Sequence, residues 1–140
     1  MVDNASAGER AWAGGIGIFA GTMLATLGVF QVLEGLSAVS KDAIFATRLD
    51  YTLDTNLATW GWVHVAIGAA AIVIGVCILL GQHWALVAGI CVALVSALSS
   101  FAFMPYYPFW ALAIIAFDIM VIWAMTVLMA ARSRTPARRH

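Results

Sequence analysis

Hydrophobic residues fall in four long blocks separated by short polar segments, at residues 12–39, 59–80, 84–104 and 108–131. A bilayer core of about 30 Å requires about 20 apolar residues in a helix, so each block is long enough to cross a membrane. We therefore predict four transmembrane helices, with a short segment at residues 1–11 before them and a basic tail at residues 132–140 after them. The first block is longer than the roughly 7 to 15 apolar residues of a signal peptide, so we expect it to remain in the mature chain.

The connections between the blocks predict the topology. Residues 81–83 and 105–107 are hairpin-length links, which make the joined helices antiparallel neighbours. The predicted fold is therefore all-α, an up-down bundle of four transmembrane helices. Only the external loop at residues 40–58 is long, and its residues 45–54 alternate in polarity with period two. We expect a short strand or extended segment there that covers the bundle, with one of residues 54–56 capping the second helix.

Orientation is predicted by the basic residues beside the helix ends, because positively charged loops stay in the cytoplasm. Arg10 precedes the first block and four arginines follow the last, whereas the long loop has only Lys41 and Arg48. We therefore expect a multi-pass protein of the plasma membrane with both termini cytoplasmic. The basic tail is either an orientation signal alone or a contact for anionic membrane lipid.

Composition narrows the classes of function. The chain of 140 residues is 64% hydrophobic and 10% charged, with a mean hydropathy of +0.97, which excludes an ordinary soluble globule. The formal net charge is zero and no basic stripe is present, so we expect no nucleic-acid partner. Cys77 and Cys91 lie in apolar blocks without CxxC spacing, which indicates neither a disulfide framework nor a zinc site.

Glycines recur with heptad spacing in the first two blocks. In a membrane, small residues on one helix face allow two backbones to approach closely, because packing is the main force between helices there. We therefore predict that the first two helices pack against each other along the closest interface of the bundle. The glycines assigned to this packing are Gly14, Gly21, Gly28, Gly35, Gly61, Gly68 and Gly75.

Ionisable and polar side chains interrupt the apolar blocks, and each is costly in the hydrocarbon region unless it has a partner or a function. At 1.5 Å per residue they all fall in the outer half of the membrane. We expect Glu34 and His64 to approach within direct or one-water hydrogen-bonding distance, and Asp118 to point into the same interior. The candidate intramembrane polar or ligand site consists of Gln31, Glu34, His64, Ser96, Ser99, Ser100 and Asp118.

Three interpretations of this polar set remain open: a hydrogen-bonded group that fixes helix register, a site that accepts protons or binds a ligand, or residues that face a partner subunit. Catalysis has little support, since paired haem histidines, paired Glu-x-x-His motifs, a nucleophile elbow and a phosphate loop are all missing from the sequence. We expect no enzyme activity, no cofactor and no metal.

Aromatic residues are concentrated near the outer boundary. Tryptophan and tyrosine prefer this depth in any membrane protein, so an interfacial belt explains them. Their excess over the inner boundary also fits the rim of a pocket beneath the long loop. The rim candidates are Trp60, Trp62, Tyr106, Tyr107 and Trp110.

Three segments carry a family resemblance: GTMLATLGVFQVLEG at residues 21–35, TWGWVHVAIGAAAIVIG at residues 59–75 and PYYPFWAL at residues 105–112. Together they resemble a group of small four-span actinobacterial membrane proteins of unassigned function. The resemblance implies a four-helix integral membrane protein and brings no activity or cofactor. A looser likeness to small four-span multidrug exporters depends on Glu34, but the one-sided arginines argue against it.

Two function hypotheses follow. The first is a non-enzymatic structural or accessory subunit, or a homo-oligomer, suggested by the glycine pattern and the missing catalytic motifs. The second is a small proton-coupled transporter or small-molecule binder that uses Glu34, His64 and Asp118.

Overall fold

The computed structural model describes residues 2–45, 55–105 and 108–134. Its four α-helices are α1 (Val2–Phe45), α2 (Thr55–Leu79), α3 (Trp84–Phe103) and α4 (Pro108–Ser133). Each contains a stretch long and apolar enough to cross a membrane. The prediction of an all-α protein with four apolar helices is thereby confirmed, and the protein has the features of a multi-pass membrane protein.

The helices form a closed ring. α1 packs against α2 and α4, and α3 packs against the same two helices from the opposite side, with the α1–α2 interface the most extensive. We call the end of the bundle where α2 and α4 begin the upper end, and the end where α2 joins α3 the lower end.

Helix α1 is longer than the sequence blocks predicted. It continues through residues 40–45, and α2 already begins at Thr55, so both ends of the expected loop are helical. No glycine or proline interrupts the chain after Gly35 in α1, and the Ser40 hydroxyl donates to the Leu36 carbonyl at 2.7 Å. The expected extended segment, apart from helical Phe45, and the Asp54 cap lie outside the described residues.

The turn between α2 and α3 depends on Gly81. Its φ of +81° is in the left-handed region that glycine adopts without steric cost. The Gly81 amide donates to the Ile78 carbonyl at 2.9 Å and the Gln82 amide donates to the Cys77 carbonyl at 3.0 Å. This pair of bonds is a Schellman motif, which ends α2 and reverses the chain within a few residues.

Helices α1 and α2 meet through facing glycines. A Cβ at Gly28 would lie 2.6 Å from the Gly68 carbonyl oxygen, and a Cβ at Gly68 would lie 2.6 Å from the Gly28 carbonyl oxygen. Each step of seven residues up α1 is matched by seven residues down α2, as antiparallel helices require. The facing pairs are Gly21 with Gly75, Gly28 with Gly68, and Gly35 with Gly61.

The contacts of Gly14 and Gly89 differ from the predicted pattern. Among the described residues, no atom of another helix lies within 4 Å of a Cβ placed on Gly14, which contradicts the packing role predicted for it. The reason is the length of the partner: the heptad before Gly21 falls opposite residue 82, beyond the end of α2 at Leu79. Gly89, which the heptad pattern missed, allows α3 to approach Met125 of α4.

The interior divides into two halves. The lower half is an apolar core to which all four helices contribute, and its largest fully buried side chains are Leu24, Leu86, Val121, Met125 and Leu128. The upper half contains the buried polar residues. The fold therefore places a buried polar region above a close-packed apolar core.

Candidate functional site

Six polar side chains are buried in the upper half of the bundle. They are the buried polar or charged residues of the described chain, none more than 9% exposed, and all four helices contribute. We call this set the polar layer: Gln31, His64, Ser96, Ser99, Ser100 and Asp118.

Helical spacing explains why these residues share one layer. Asp118 is ten residues into α4, about 15 Å from its start, and Ser96 is seven residues before the end of α3, about 10 Å from its end. Ser99 and Ser100 follow Ser96 by three and four residues, so the three hydroxyls lie on the same face of α3. Asp118 faces the interior, with only 1% of its surface exposed.

A hydrogen-bonded chain joins α1, α3 and α4. The Gln31 Nε2 group donates to the Ser96 hydroxyl oxygen, and the Ser96 side chain hydrogen-bonds to Asp118. Because the hydroxyl oxygen accepts from the amide, its own proton is available to the carboxyl group. Gln31 Oε1 and Asp118 Oδ2 are buried without a hydrogen-bond partner among the described residues. Two acceptors at the ends of one chain therefore lack a donor.

His64 joins α2 to the same layer. Its Nδ1 lies 3.2 Å from the Trp60 carbonyl oxygen, and its Nε2 lies 3.5 Å from the Ser99 hydroxyl. A carbonyl oxygen only accepts, so Nδ1 carries the proton in the neutral ring and Nε2 is an acceptor. The Trp60 ring is tilted against the imidazole, with the centroids 5.8 Å apart. The ring of His64 is thus held between its own helix and α3.

Glu34 lies outside this layer. Its Oε2 accepts from Trp110 Nε1 at 3.2 Å, and the Trp110 ring packs edge-on against Phe30 with centroids 6.2 Å apart. Glu34 and His64 thus have different partners in these hydrogen bonds, and the direct or one-water approach expected between them stays a prediction. Gly35 faces α2, and the preceding residue is rotated by about 100° around the helix, towards α4.

The predicted aromatic rim is only partly assembled at the site. Trp60 contacts His64, and Trp110 contacts Glu34. Trp62 is 57% exposed on the outside of the bundle. Tyr106 and Tyr107 lie outside the described residues.

The polar layer offers oxygen and imidazole groups but no metal cage. In the described part of the chain, no three His, Cys, Asp or Glu side chains come together as a metal site would require. The chemistry that these groups can perform is hydrogen bonding and proton exchange, because they combine one carboxyl, one imidazole, one amide and three hydroxyls.

Comparison with known proteins places these features in a family. Residues 16–130 match a family model described as a domain of unknown function, DUF7144. The chain belongs to this family. The matched region includes all of α2 and α3, most of α1 and α4, and every residue of the polar layer. No curated protein and no solved structure matches the sequence.

Proposed function

We propose that this chain is a non-enzymatic, proton-binding membrane protein of the small carrier type, with Asp118 as the group that takes up the proton. The observation that supports it is the pair of buried acceptors, Gln31 Oε1 and Asp118 Oδ2, on either side of Ser96. A proton on Oδ2 turns that oxygen into a donor and gives the chain the hydrogen atom it lacks.

The alternative of a purely register-fixing group fits this pair less well. Buried polar groups in native proteins are almost always hydrogen-bonded, and exceptions mark a bound water or ion, strain or a functional role. A buried polar network stabilises one arrangement of helices when every donor and acceptor in it has a hydrogen-bond partner. An acceptor without a donor at each end of this hydrogen-bonded chain instead favours a proton that binds and is released.

Protonation of Asp118 is tested by infrared difference spectroscopy between acidic and alkaline buffer, with the protein in lipid nanodiscs. We expect a protonated-carboxyl C=O stretching band that disappears in Asp118→Asn and persists in Glu34→Gln. Helicity and melting of both variants control for unfolding. A band that survives in a folded Asp118→Asn protein would refute the proposal.

A second candidate function, an accessory subunit or homo-oligomer, is favoured by Glu34. Its carboxyl group is half-buried on the outer side of the α1–α4 groove, beside Trp110 at 46% and Phe30 at 47% exposure. A carboxyl group at this depth is costly when it meets only lipid, so a neighbouring chain is a reasonable partner for it. We call Phe30, Glu34 and Trp110 the patch. We infer from the arginine distribution that the patch lies towards the outer face of the plasma membrane.

Native mass measurement in mild detergent tests this candidate. The wild-type particle should be heavier than one chain, and Glu34→Leu with Trp110→Ala should release the monomer. Leu98→Ala is the matched control, because Leu98 is 70% exposed on α3 and belongs to neither the patch nor the polar layer. A wild-type monomer without any co-purifying protein contradicts the candidate.

A further inference from the structure

The serine face of α3 connects the two titratable members of the polar layer. Ser99 contacts His64 at its upper end, and Ser96 contacts Asp118 at its lower end. Ser96, Ser99 and Ser100 are 2%, 9% and 4% exposed, so lipid does not reach them. A hydroxyl both accepts and donates a proton, which is the property a proton relay needs.

The upper end of this face begins at a group that can collect protons. His64 Nε2 is the acceptor nitrogen of the neutral ring, since Nδ1 is directed at the Trp60 carbonyl. When Nε2 gains a proton, it becomes a donor to the Ser99 oxygen 3.5 Å away. An imidazole nitrogen that can both accept and release a proton suits the entrance of a path.

Among the residues that the structure describes, the lower half of the bundle contains no comparable path. Below Asp118, the buried side chains of α4 are Val121, Ala124, Met125 and Leu128, all apolar. The facing parts of the described helices contribute Leu24, Ile78 and Leu86 to the same apolar core. Protons cross such a close-packed apolar region only with difficulty, because it has no hydrogen-bonding groups to receive them.

We propose that protons reach Asp118 from the upper end alone, along His64, Ser99 and Ser96. The inference depends on the proposed proton-binding function of Asp118 and adds the route and its sidedness. The proton on His64 Nε2 passes to Ser99, each hydroxyl that gains a proton releases its own, and the last proton stays on Asp118. Ser99 and Ser96 are one turn apart, with Cβ atoms about 5–6 Å from each other, so one water molecule completes the step between them.

The groups that face this route come from every helix around it. Gln31 faces it from α1, His64 from α2, the three serines from α3 and Asp118 from α4. Glu34 and Lys41 are further titratable side chains near the upper end in the described chain; Glu34 bonds to Trp110 on the outside of the bundle, and Lys41 is exposed. Substitutions on the serine face can therefore be interpreted without another titratable group on the route.

The route is tested by following the Asp118 carboxyl band after a rapid drop in pH in nanodiscs. We expect Ser99→Ala to slow the rise of the band by about tenfold or more while its final amplitude stays unchanged. Ser99→Thr keeps the hydroxyl and should keep the rate. If Ser99→Ala folds and protonates Asp118 at the wild-type rate, the route is wrong although the proton site stands. If the wild-type protein has no Asp118 band, the proposed function itself fails.

Sidedness is tested in liposomes, in a Lys41→Cys variant that also carries Cys77→Ala and Cys91→Ala. Lys41 is exposed at the upper end of α1, so a membrane-impermeant maleimide labels the molecules whose upper end faces outwards. The fraction of the Asp118 band that responds promptly to an external pH change should equal the labelled fraction. A prompt response from all molecules, whatever their orientation, would overturn one-sided access.

Discussion

Replacing Gly28 with alanine should destabilise the protein strongly, although it adds only one methyl group. The new Cβ would lie 2.6 Å from the Gly68 carbonyl oxygen and 2.8 Å from the Ile72 amide nitrogen. Both are backbone atoms, so they move aside only if α1 and α2 separate. Overpacking of this kind costs about 1–3 kcal/mol, and Gly28→Leu should cost more. Melting in mild detergent measures the loss.

Gly14→Ala is the matched control on the same helix. No atom of another helix in the described chain lies within 4 Å of a Cβ at Gly14. The substitution should therefore leave the melting temperature unchanged or raise it, since alanine favours a helix over glycine by about 1 kcal/mol. Equal melting of Gly28→Ala and Gly14→Ala would show that the two helices are not packed as described.

A double substitution makes the test more specific. Gly28 and Gly68 face each other, so a methyl group at either position forces the same separation of the helices. Once Gly68→Ala has paid that cost, Gly28→Ala should add less, which gives a coupling of about 0.5–3 kcal/mol between them. Strict additivity would place the two residues at independent sites.

The fold was predictable from the sequence because the bilayer imposes the length and polarity of each helix. The heptad glycines also indicated the faces of α1 and α2 that meet, and the facing pairs have the contacts of an antiparallel register. The pattern failed at Gly14 because a packing contact needs a partner at the same height, and α2 ends at Leu79. Where the neighbouring helix ends is a property of the tertiary structure. A sequence repeat within one helix contains no information about it.

The site was predictable in depth but not in pairing. Counting residues from the helix ends places Gln31, His64 and Asp118 in one layer, and the structure brings them together with the serines of α3. Counting does not decide whether Glu34 faces α2 or α4, because a four-helix ring can close with either hand. Glu34 is rotated by about 100° around the helix from Gly35, so its carboxyl group lies beside Trp110 and accepts a hydrogen bond from it.

Substitution of Asp118 has the second large expected effect. Whether the protein becomes more or less stable depends on which residue replaces Asp118. Asp118→Asn should be as stable as the wild type or more stable, because its amide keeps an acceptor for Ser96 and places no charge in the buried site, where Asp118 Oδ2 has no donor among the described residues. Asp118→Leu should lose about 1–3 kcal/mol, since it leaves the Ser96 hydroxyl without the acceptor for its proton in an apolar surrounding. Melting of the two variants in the same detergent compares them directly.

The triple variant Asp118→Leu with Ser96→Ala and Gln31→Leu separates polar satisfaction from packing. If the loss in Asp118→Leu comes from stranded polar groups, removing Ser96 and Gln31 as well should restore part of the stability, because replacing all hydrogen-bonding partners with apolar groups is close to neutral. If the loss comes from the shape of leucine, the further substitutions should add a further loss. A melting temperature that falls for Asp118→Asn as far as for Asp118→Leu would contradict the assignment of Asp118 Oδ2 as a buried acceptor that lacks a donor.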